Sequence, residues 1–138
     1  MSRDDQVRRL ARLARLRDAD RRTAAALAAS ANAAHEKAVS LARRAELIGQ
    51  DCRAHGFVGD GSALRSLLIF AGQLAGLANT AWSDAAKAER QALASRQALA
   101  AADRRRDLAD DKLTAAKRAS AAKWFAMEEL AQSLQCRR

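Results

Sequence analysis

The sequence predicts an all-α protein, an elongated antiparallel two-helix coiled-coil hairpin formed by a single domain over residues 1–138. Three observations carry that reading. Alanine supplies 37 of the 138 residues, and Leu, Arg, Lys, Glu and Gln fill much of the rest, so helix propensity is high almost everywhere. Uncharged residues recur at alternating steps of three and four over many heptads. The chain contains no proline, and three of its six glycines (Gly56, Gly59 and Gly61) fall within six residues of one another. Such a chain reads as one long helical pattern interrupted once.

Taken in order, helix 1 is expected over about residues 3–55. Ser2 and Asp5 have the spacing of a capping box, with Asp in place of the usual Glu or Gln. Its seam is read at 10, 13, 17, 20, 24, 27, 31, 34, 38, 41, 45 and 48, interrupted by Arg17 and Asp20. The turn follows at 56–61, where Gly56 suits a left-handed helix terminus and Phe57 can fold back on the last turn. Asp60 or Ser62 can then cap helix 2, expected over about 62–134. The second seam runs through 64, 67, 71, 74, 78, 81, 85 and onward in the same rhythm to 134, with charge only at Arg106 and Lys123. A short connection makes the helices antiparallel. Folding about the turn sets residue i opposite roughly 117 − i, so helix 2 overhangs helix 1 by ~20 residues, or ~30 Å. Leu41, Ile48, Leu64, Leu67, Leu74 and Leu77 are expected to pack beside the turn.

Composition limits what the chain does. Leu, Ile, Val and Phe number 25, too few for a thick globular core, and the formal charge is +9. The start, MSRDDQVRRL, lacks the apolar segment of a secretory leader. The apolar run at 67–78 is short for a bilayer span. Cys52 and Cys136 have no metal-type spacing and read as free thiols of a reduced, cytoplasmic protein. His35 and His55 stand alone and read as solvated helix residues. No nucleophile, phosphate loop or ligand cluster is recognisable, so neither an enzyme nor a cofactor or metal site is expected.

Two groups of residues look built for contact. The run RRLARLARLRDADRR (8–22) places Arg8, Arg9, Arg12 and Arg15 near the open end, joined on helix 2 by Arg104, Arg105 and Arg106 and by Lys112, Lys117 and Arg118. These cations suit nucleic acid, an anionic membrane or an acidic protein, although four aspartates lie among the first twenty residues. Trp124 and Phe125 sit on the expected overhang with Met127, Leu130 and Leu134, where they either pack internally or in a dimer or, if exposed, serve as partner anchors. Near the turn, Phe70, Gln73 and Leu77 exceed what a two-helix seam can bury, while Leu74 is expected inside.

The arginine–leucine start, a first helix of about fifty residues, the single turn, the apolar opening LRSLLIFAGQLAGL of the second helix and the charged end together resemble the FliJ family of flagellar export proteins. The likeness lies in layout and periodicity over nearly the whole chain. It implies a non-enzymatic coiled coil of the flagellar type III protein export apparatus, similar to the central stalk of rotary ATP synthases. It further implies insertion of the paired ends into a hexameric export ATPase, contact of the helix 2 start with the membrane protein of the export gate, and handling of export chaperones. Such a protein would be cytoplasmic and peripherally attached to the inner membrane. Flagellar and virulence secretion systems are not separated by these residues. Two other readings stay open, a generic scaffolding coiled coil and a nonspecific nucleic-acid-binding coiled coil.

Overall fold

A computed structural model describes residues 2–54 and 59–137. It contains two helices, α1 (Arg3–Ala54) and α2 (Gly61–Cys136), packed against each other, and no strand among the described residues. The all-α helical hairpin expected from the sequence is therefore present. Gly56 and Phe57, expected to close α1, and His55 lie outside the described residues.

The helix ends are set by local chemistry. The Asp5 amide donates to Ser2 Oγ at 3.3 Å and the Gln6 amide to the Ser2 carbonyl at 3.2 Å, while Asp4 and Asp5 place negative charge in the first turn. At α2 the cap is Asp60, whose Oδ1 accepts from the Ala63 amide at 3.0 Å. Helix geometry begins already at Gly61 and runs to Cys136, two residues beyond the expected end.

The seam of α2 lies where the spacing predicts. From Leu67 to Ser120, every third or fourth residue of the series is buried or half-buried, with Leu74, Ala78, Ala81, Ala85, Ala92, Ala102 and Ala109 the innermost apolar members. The seam of α1 is half displaced. Positions 10, 17, 24, 31, 38 and 45 face α2 as expected. Their partners are 14, 21, 28, 35, 42 and 49, each one residue later than predicted, so Asp20, Leu27, Ala34, Leu41 and Ile48 are exposed. The reason is size. Leucine at these sites would hold the helix axes apart, whereas Ala28 and Ala42 let them close, and Ala42 and Ala92 retain no exposure at all. The leucines are left outside. Leu41, Ile48, Leu64 and Leu77, expected in a core beside the turn, are each 41–52% exposed, and only Leu67 and Leu74 turn inward.

The chain forms two compact units, Met1–Ala25 with Ala98–Arg138, and Ala26–Gln97. In the first, Arg21 Nε donates to Asp103 Oδ1 at 2.7 Å, and Arg106 Nε lies 3.7 Å from Asp18 Oδ1. Both pairs have residue numbers totalling 124, so position i faces 124 − i rather than 117 − i. The start of α1 is thus level with residue 121, and the overhang is residues 121–136, about 24 Å of helix. In the second unit, His35 enters the seam: its Nδ1 lies 3.2 Å from the Ala85 carbonyl oxygen and the ring is half-buried, not solvated as expected. The Trp82 indole N–H donates to Glu46 Oε1 at 2.5 Å.

Candidate docking surfaces

The first unit carries the basic surface. Arg8, Arg12 and Arg15, spaced by four and three, share one outward stripe of α1, and all are exposed along with Arg9. An open groove of about 620 Å³ runs beside Arg8, Arg9, Arg12 and Arg15, with Asp5 at one end. A second groove of about 690 Å³ lies between α1 and α2, edged by the cations Arg15, Arg22, Arg106 and Lys117 and by Asp18 and Asp110.

The arginines predicted on α2 divide. Arg104 and Arg105 are exposed, but Arg106 is half-buried between Asp18 and Asp110, at 3.7 and 3.6 Å, and serves the helix pair. By the 124 − i register, Arg104 and Arg105 are level with residues 20 and 19, about two helical turns from Arg12 and three from Arg8. Lys117 of α2, expected at this end, lines the same groove as Arg15.

Trp124 and Phe125 project from the overhang at 61% and 60% exposure, edge to face with ring centroids 5.3 Å apart. Met127, Leu130 and Leu134 are equally bare. The heptad order puts Trp124 beside the seam line and Phe125 on the far side of the helix, so the two rings address different faces.

The second unit carries the apolar surface. Phe70, Gln73 and Leu77 are exposed and, spaced by three and four, form one strip of α2, while Leu74 is buried as expected. In an antiparallel coiled coil the positions just before the seam residues on each helix share a side, and on that side Ile48 of α1 comes level with Leu77. The Trp82–Glu46 bond occupies the other side. Ile48 therefore belongs to the apolar strip, a membership hidden by its placement in the predicted core. By length and composition alone, α2 also contains a window of 18 residues apolar enough to cross a membrane, with mean hydropathy 1.3 and 11% buried.

Cys52 is half-buried and Cys136 exposed, both as free thiols. Among the described residues no group of His, Cys, Asp and Glu is arranged to hold a metal ion. No protein-family model, curated protein or solved structure matches this chain.

Proposed function

We propose that the chain is a non-catalytic docking protein of a type III protein export apparatus, and that it binds and activates the hexameric export ATPase through the first unit. The resemblance in layout to the FliJ family motivates the choice of partner. The observation that carries the docking role is the exposed stripe Arg8, Arg12 and Arg15 next to an overhang bearing bare Trp124 and Phe125. A ring of subunits can hold such an end by charge and by aromatic anchors without receiving a catalytic group. The strip of Phe70, Gln73 and Leu77, joined by Ile48 of α1, supplies the contact for the membrane protein of the export gate, and export chaperones remain partners implied by the resemblance alone.

The arginines act mainly on encounter rate and the aromatics on release. Replacing Arg8, Arg9 and Arg12 by Glu should weaken stimulation of the purified ATPase most at low salt, where charges are least screened. Truncation after Lys123 should weaken it at every salt concentration. Full stimulation by both variants across the series would place the contact elsewhere and favour a scaffolding role.

A further inference from the structure

The α2 seam does not stop where α1 stops. Past Ser120, the last residue that α1 covers, the same spacing continues through Lys123, Met127, Leu130 and Leu134. The uncovered part is more apolar than the covered part, which is mostly alanine. Met127, Leu130 and Leu134 are 68%, 65% and 59% exposed. The positions flanking this stretch are Trp124, Ala126, Ala131 and Ser133, none charged, whereas Asp103, Arg105, Asp110, Lys112 and Lys117 flank the covered seam. Glu128 and Glu129 lie on the far side of the helix. Residues 123–136 thus present a helix face with an apolar stripe and uncharged borders, continuous with an existing helix–helix interface.

We propose that this face pairs with the same face of a second copy of the chain, antiparallel, about a two-fold axis between residues 128 and 129. Met127 then packs on the second copy's Leu130, and the large Trp124 lies over the second copy's small Ala131. Cys136 reaches the level of the second copy's Ala121, where that copy's own α1 takes over the seam. The length of the overhang matches the length of the overlap. A parallel pair would stack Lys123 on Lys123 in the seam and align the helix dipoles; the antiparallel pair places each Lys123 stem on Leu134 and opposes the dipoles. Two helices over this length bury roughly 500 Å² per copy, below the ~800 Å² per partner of a standard stable interface. The dimer is accordingly weak, with a dissociation constant on the order of 100 µM. This inference is independent of the export ATPase, which its test does not contain.

Sedimentation of the full chain from about 5 to about 500 µM should show the mean mass rising from the 14.9 kDa of one chain toward twice that value. Met127→Asp with Leu130→Asp should keep the chain monomeric throughout, weakening association at least about tenfold, with unchanged helicity by circular dichroism. Orientation is read by mild oxidation in a Cys52→Ser, Cys136→Ser background. A mixture of Met127→Cys and Leu130→Cys chains should cross-link faster than either chain alone. A constant monomer mass, or association that survives the double Asp change, overturns the proposal. Faster cross-linking of Met127→Cys with itself means a parallel pair and overturns it equally.

Discussion

Leu41 and Ala42 are neighbours whose roles in this fold invert their hydrophobicity. Leu41 is 52% exposed and Ala42 is fully buried against α2. Leu41→Ala removes a side chain already half in water, so its cost is at most about 1 kcal/mol, half of a full leucine burial. Ala42→Leu adds apolar volume at a point where the helices touch. The added atoms force off-rotamer packing or part the helix axes, at a cost of about 1–3 kcal/mol. For a chain of this size each kcal/mol moves the thermal midpoint by ~4 °C. The larger residue should therefore lower the midpoint by roughly 4–12 °C, and the smaller one by no more than ~4 °C. Melting both variants and the parent by circular dichroism at the helical band decides the matter. A greater loss from Leu41→Ala than from Ala42→Leu would show that leucine, not alanine, fills the α1 seam, and would refute the burial of Ala42 against α2.

Two further perturbations probe other elements. Asp60→Ala removes the acceptor for the Ala63 amide and should cost about 1 kcal/mol, with hydrogen exchange accelerated in the first turn of α2 and unchanged near Ala92. Phe70→Ala, at a side chain 47% exposed, should leave helicity intact while reducing binding to the export gate protein; collapse of helicity would make Phe70 a core residue.

How legible each contact is in the sequence depends on how it announces itself. The α2 seam can be read because charge is excluded from it over many heptads, and exclusion of charge does not depend on side-chain size. Half of the α1 seam is hidden because Leu27 and Leu41 exceed Ala28 and Ala42 in hydrophobicity, although close approach favours the smaller side chains. His35 reads as solvated because a polar ring among alanines gives no sign of the Ala85 carbonyl it reaches on the other helix. Arg106 reads as part of an exposed basic tip, but its two aspartates, one of them on α1, can be found only once the register is fixed. The outward character of Phe70 and Gln73 is legible, since a two-helix pair has too little interior to hold them, whereas Leu77 reads both as core and as contact and the sequence leaves Trp124 and Phe125 open between exposure and packing.

The alanine seam also makes the helix contact nearly indifferent to its own phase. Slide one helix past the other by a heptad, about 10 Å, and over much of the contact methyl groups meet methyl groups again. Large interlocking side chains would penalise such a step, but alanine scarcely does. What distinguishes one phase from the next is a handful of polar latches: Arg21 on Asp103, Arg106 on Asp18, His35 at the Ala85 carbonyl, and Trp82 on Glu46. All four involve side chains at least partly open to water, where each is individually weak. Adhesion and alignment are thus handled by different atoms, and alignment can be altered by changes that leave adhesion almost untouched.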